Sequence, residues 1–175
     1  MAIRSEQNIV LTGFMGTGKT TTGQRLAARL ARPFIDTDAE IERRAGRPIA
    51  DIFAQDGEAA FRRSEARLCR FYAGQRGLVI ATGGGTLVDP GSRAVMLASG
   101  FVVCLDASPE TIRARLAGET GRPLLSGDWE ALLARRQPAY ADILYHVNTD
   151  GRTPEAVAEE VLALWKQWAA VEQSG

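Results

Sequence analysis

One eight-residue segment, Gly13-Phe14-Met15-Gly16-Thr17-Gly18-Lys19-Thr20, constrains the chain more than any other. It has the form G-x-x-x-x-G-K-[ST], with an apolar run at 8–12 before it and a helical pattern at 19–31 after it. Strand, glycine-rich loop and helix in that order make a phosphate-binding unit. The glycines let successive backbone N–H groups converge on phosphate oxygens, and the following helix adds the positive end of its dipole. Lys19 supplies a point charge for the β- and γ-phosphates, and Thr20 a hydroxyl for Mg²⁺. The segment predicts nucleoside-triphosphate binding and leaves the acceptor open.

The rest of the chain repeats the strand-then-helix rhythm. Short apolar runs without alternation lie at Asn8–Thr12, Pro33–Asp36, Leu78–Thr82, Phe101–Leu105 and Tyr145–Asn148. Such runs predict strands covered on both faces, as in a parallel sheet. Helical spacing links Leu26, Ala27 and Leu30, then Phe61, Leu68, Cys69 and Tyr72, then Val157, Val161, Leu164, Trp165 and Trp168. Ser108-Pro109 and Thr153-Pro154 are helix-start pairs. The tryptophans read as core packing. An α/β domain follows, with ligands expected at the carboxyl ends of the strands.

Composition narrows the function. The 175 residues suit one domain. Lys plus Arg and Asp plus Glu each number 21, so the formal net charge is zero. That balance argues against a general nucleic-acid or membrane-surface binder. Only Lys19 and Lys166 are lysines; the arginines suit bidentate grip on phosphate and carboxylate. No apolar window is long enough to span a membrane, and MAIRSEQNIVLTGF lacks a signal-peptide core. A cytoplasmic location and a monomer are expected. Cys69 and Cys104 read as reduced core thiols. His146 is the only histidine; this excludes His-pair metal sites, and it reads as a structural residue.

The residues after each strand carry the remaining signals. Asp36 and Asp38 face the same way if the chain stays extended. One then suits Mg²⁺ through water and the other the proton of an attacking hydroxyl; the alternative is a capping role on the helix containing Ile41. Glu65 lies on an apolar stripe, where Arg62 three residues earlier can reach it. The pair is either a solvated surface pair or an oriented arginine for an anionic substrate. Thr82-Gly83-Gly84-Gly85 is either a flexible turn or a site of close backbone approach. Residues 118–128 read as an exposed loop, with Arg122 either closing over phosphates or serving as an ordinary loop arginine. Arg135-Arg136-Gln137-Pro138 ends a helix, its arginines either satisfying terminal carbonyls or binding an anion.

The ordered set GFMGTGKT at 13–20, DTD at 36–38, GRPIADIFAQDGEAAFRRSE at 46–65, TGGG at 82–85, RPLL at 122–125 and RRQPAY at 135–140 closely resembles the shikimate kinase family over nearly the whole chain. The resemblance implies a P-loop fold of the nucleoside-monophosphate-kinase type. Its five-stranded parallel sheet would be flanked by helices, with a substrate-binding insertion near 37–65 and a lid near 117–129. It implies ATP-dependent, Mg²⁺-assisted phosphorylation of the 3-hydroxyl of shikimate, in the route to chorismate and the aromatic amino acids. It places Gly16, Thr17, Gly18, Lys19, Thr20 and Thr21 on the ATP phosphates, and Thr20 and Asp36 at the metal. Asp38 becomes the proton acceptor and, with Arg62, Gly84 and Arg136, forms the shikimate site, and Glu65 becomes the orienter of Arg62. Arg122 becomes the lid arginine, with Arg115, Arg152 and Pro154 flanking adenine. Ala139 departs from the leucine of many relatives, and Cys69-Arg70-Phe71 matches no family motif; neither touches a chemical role. The alternatives are a related P-loop kinase, such as gluconate kinase, and a non-catalytic nucleotide-binding module. The latter predicts damage at Lys19, Asp36, Asp38 or Arg122, all of which are intact.

Overall fold

The computed structural model describes residues 4–117 and 128–171. Strands β1 (Asn8–Thr12), β2 (Phe34–Asp36), β3 (Val79–Ala81), β4 (Gly100–Asp106) and β5 (Tyr145–Asn148) form one sheet in the order β2-β3-β1-β4-β5. Every pairing is parallel. The strands fall on the five apolar runs, each end within one residue of expectation.

The lack of alternation has a direct cause. Ile9, Leu11, Val79, Val103 and Leu105 pack against Leu26 and Ala27 of α1 (Lys19–Leu30) and against Val157, Val161 and Trp165 of α8 (Pro154–Ala170). Val10, Ile80, Val102 and Cys104 point the other way. They meet Leu68, Cys69 and Tyr72 of α4 (Glu58–Ala73) and Met96 of α5 (Pro90–Ser99). Both strand faces are therefore apolar, and each fully buried Leu or Ile contributes roughly 1.5–3 kcal/mol. Trp165 is buried in this core, and Trp168 packs against Phe101 with ring centroids 5.7 Å apart. Cys69 and Cys104 are buried free thiols, as expected.

The helix-start pairs behave as their chemistry predicts. Ser108 Oγ accepts from the Thr111 N–H at the start of α6 (Pro109–Leu116), and Thr153 Oγ1 accepts from the Ala156 N–H at the start of α8. Helices α2 (Thr37–Ala45) and α3 (Ile49–Asp56) leave little trace in the periodicity. Each is short, and Ile41 and Ile52 are their only buried apolar side chains. Helix α7 (Trp129–Ala141) corrects one expectation: it continues through Pro138, so Arg135 and Arg136 lie inside the helix rather than at its end. No helix among the described residues is long and apolar enough to cross a membrane.

Candidate active site

The segment after β1 folds as a phosphate cradle. Gly13, Gly16 and Gly18 take φ of 133°, 77° and 90°, conformations that favour glycine. Thr17, buried, donates to the Phe14 carbonyl at 2.8 Å and staples the loop. Among the described residues no side chain caps α1, and its first turn holds no carboxylate. Its leading N–H groups are thus suited to an anion. Lys19 Nζ lies 2.8 Å from both the Gly13 and Phe14 carbonyls, which hold the ammonium along the loop. Thr21 Oγ1 donates to the Gly18 carbonyl at 3.2 Å.

The two carboxylates differ from the extended arrangement. The chain turns helical at Thr37, so Asp36 and Asp38 do not project as strand neighbours. Asp36 takes the capping role and at the same time faces the phosphate loop. Its Oδ1 accepts from the Asp38 and Ala39 N–H groups and caps α2, while its Oδ2 accepts from Thr20 Oγ1 at 2.7 Å. A hydroxyl and a carboxylate side by side, both oxygen donors, fit a hard divalent cation. Asp38 sits in the first turn of α2 and lines the cleft.

The arginines converge from two helices. Arg62 Nη1 donates to Glu65 Oε2 at 2.7 Å, and its Nη2 donates to Glu58 Oε1 at 3.0 Å. Glu65 is 2 % exposed, and its other oxygen accepts from Thr86 Oγ1 at 2.6 Å. The pair is therefore an oriented one rather than a solvated one. Burial pulls the Arg62 pKa down, but Glu65 and then Glu58 outweigh it and the net movement is upward. Arg136 is 5 % exposed, with its Cζ 5.6 Å from the centroid of the Phe14 ring.

Thr82-Gly83-Gly84-Gly85 joins these parts. None of its three glycines takes a left-handed φ; space is what they supply. A Cβ on Gly83 would lie 2.5 Å from Asp38 Oδ1, one on Gly84 3.2 Å from Arg136 Nη1, and one on Gly85 2.4 Å from Arg62 Nη1. Each glycine makes room for a different polar side chain. Sequence reasoning missed three supports of this turn: Thr86 beneath Glu65, Thr37 Oγ1 accepting from the Gly83 N–H at 3.0 Å, and Tyr140 donating to the Gly84 carbonyl at 2.6 Å. Burial raises the Tyr140 phenol well above its ordinary pKa. Tyr140 falls four residues after Arg136, the only available hint of a shared helix face.

One cleft of about 590 Å³ collects Gly16, Gly18, Lys19, Thr20, Thr21, Asp36, Asp38, Arg62, Gly84, Arg115 and Arg136. Arg115 reaches it from α6, donating to the Gly16 carbonyl at 3.0 Å and the Thr149 carbonyl at 2.8 Å. Arg152 and Pro154 do not line it: Arg152 donates to the Asn148 and Ala156 carbonyls, and Pro154 opens α8. Arg122 lies outside the described residues, as does most of the lid expected near 117–129.

A phosphate loop after β1, a parallel sheet in this order and an arginine-lined acceptor cleft beside the loop define a P-loop small-molecule kinase. The family model for shikimate kinase matches residues 15–166. A shikimate kinase of Desulforudis audaxviator is 49% identical over 147 residues, covering 82% of this chain and 78% of the relative. One from Thermus thermophilus is 46% identical over 173 residues, covering 95% of this chain and 93% of the relative. The structure of Acinetobacter baumannii shikimate kinase in complex with shikimate superposes with a TM-score of 0.89 at 34% identity, covering 94% of this chain and 96% of that one. The chain belongs to the shikimate kinase family. A gluconokinase from Sinorhizobium meliloti, at 21% identity and a TM-score of 0.64, shares the fold.

Proposed function

We infer that the chain transfers the γ-phosphoryl group of ATP to the 3-hydroxyl of shikimate, giving shikimate 3-phosphate and ADP. The observation that carries this is the meeting of a phosphate loop, a carboxylate and two helix-borne arginines in one cleft. Shikimate is a small anionic polyol. Its carboxylate matches the Arg62 and Arg136 guanidiniums, and its hydroxyls match Asp38. Transfer between oxygens is mainly positioning and charge neutralisation.

Each residue then has a task. The N–H groups of Gly16 to Thr21 and Lys19 Nζ hold the triphosphate. Asp38 accepts the proton of the attacking hydroxyl. Glu65, itself fixed by Thr86, keeps the Arg62 fork in one orientation. Thr20 and Asp36 would hold Mg²⁺, which when bound neutralises phosphate charge. Arg115 and Arg122 complete the nucleotide side, and Arg152 and Pro154 flank the base. Residues 37–65 serve as the acceptor-binding insertion and 117–129 as the lid of one domain, acting as a cytoplasmic monomer.

Coupled detection of ADP release with ATP and Mg²⁺ tests the reading. Turnover is expected with shikimate and not with gluconate, and Lys19→Ala is expected to abolish it. Turnover with gluconate alone, or wild-type activity of K19A, overturns it.

A further inference from the structure

A second cavity, of about 640 Å³, opens on the other side of the phosphate loop, with Thr17, Asp106, Tyr140 and His146 in its walls. Nothing in the phosphoryl transfer uses its floor. Cys104 and Asp106 are two residues apart on β4, so they project from the same face. His146 is the direct partner of Cys104 on β5 and joins them on that face. One ligand atom from each of the three lies within 4.8 Å of the others. His146 Nδ1 is 2.7 Å from Asp106 Oδ2, and Cys104 Sγ is 3.5 Å from Asp106 Oδ1.

The orientation of the imidazole is the telling feature. His146 Nε2 donates to the Ile143 carbonyl at 2.9 Å, and this leaves Nδ1, hydrogen-bonded to Asp106 Oδ2, as the nitrogen that faces the other two side chains. A metal-bound histidine is typically held this way, its outer nitrogen donating to a backbone carbonyl.

We propose that Cys104, Asp106 and His146 form a binding site for a thiophilic divalent cation of the zinc class. The donor set of sulfur, nitrogen and oxygen suits Zn²⁺ or Co²⁺ and disfavours Mg²⁺, which prefers oxygen alone. Three protein ligands leave a fourth position for water, and Asp106 and His146 bring the site to the cavity wall. Asp106 and His146 side chains are 41% and 35% exposed, which gives the ion its entry. Burial, and then Asp106, raises the Cys104 thiol, so the metal-free residue is protonated; a coordinated thiol is deprotonated outright. Binding releases that proton and any carried on Nδ1.

Cobalt titration under reducing conditions tests the site, because a thiolate-to-cobalt charge-transfer band reports sulfur coordination alone. One equivalent is expected to produce the band, Zn²⁺ to remove it and Mg²⁺ to leave it. Cys69→Ser should retain the band and Cys104→Ser should lose it. His146→Gln, at a half-exposed position that tolerates change, should weaken zinc binding at least about tenfold, measured against a chromophoric chelator. Absence of the band, its survival in C104S, or wild-type zinc affinity in folded H146Q would each overturn the proposal.

Discussion

Gly85→Ala isolates the geometry of the arginine clamp. Gly85 has φ −92° and ψ −10°, which alanine adopts readily, so the substitution brings no backbone strain. The added methyl would lie 2.4 Å from Arg62 Nη1, 2.9 Å from its Cζ and 3.0 Å from Arg136 Nη2. Ordinary contact begins near 3.4 Å, so the Arg62 head must retreat by roughly 1 Å. That movement shifts the guanidinium relative to the buried Glu65 carboxylate, which it meets at 2.7 Å. A displaced Arg62 forfeits one hydrogen bond to the substrate carboxylate; a hydrogen bond to a charged group contributes about 1.5–3 kcal/mol, which corresponds to roughly 10- to 150-fold in binding. We expect the KM for shikimate to rise by that factor while the KM for ATP stays unchanged. Initial rates of coupled ADP release across both substrate ranges measure this, with circular-dichroism melting as the check on folding. An unchanged shikimate KM in a folded G85A protein refutes the idea that these glycines exist to make room for the guanidiniums.

Asp36 offers a separation of roles: Asn retains a capping oxygen and Ala does not. Asp36→Asn is expected to keep the melting temperature but raise the Mg²⁺ requirement, whereas Asp36→Ala should also lose about 0.5–2 kcal/mol of stability in urea titrations. Asp38→Asn should collapse kcat while leaving ATP affinity, read by equilibrium titration, intact; loss of ATP affinity instead would assign Asp38 to the nucleotide side. Glu40 carries a pKa lowered to about 2, first by its hydrogen bond from Arg43 and then from Arg44, with burial opposing. A carboxylate with a depressed folded-state pKa stabilises above its unfolded value and loses that contribution as pH falls. Melting temperatures of Glu40→Gln and the wild type should therefore converge as pH drops from about 4.5 towards about 2.

The sheet was legible because parallel strands buried on both faces leave unbroken apolar runs, which little else in a soluble chain produces. The phosphate loop was legible because glycine, lysine and threonine are each required by a distinct physical demand at a fixed spacing. What escaped was long-range. Asp36 and Thr20 lie sixteen residues apart; the family resemblance put both at the metal, but no local rule says that the residue capping α2 also accepts from the loop threonine. Pro138 was misleading because a proline commonly ends a helix, yet α7 continues past it to Ala141. The glycine run pointed to close approach but not to what approaches, since Asp38, Arg62 and Arg136 arrive from three separate helices.

Phe14 and Met15 fill unspecified positions of the phosphate loop, yet both are buried, with Arg136 over the Phe14 ring and the Met15 backbone pressed against Gly84. The phosphate loop is thus also a wall that seats the Arg136 guanidinium and the glycine turn. Remodelling that wall to admit a different acceptor would loosen the grip on nucleotide in the same stroke. New acceptor preferences therefore have their freer route through Glu42, Ile49 and Phe53, which line the cleft from α2 and α3.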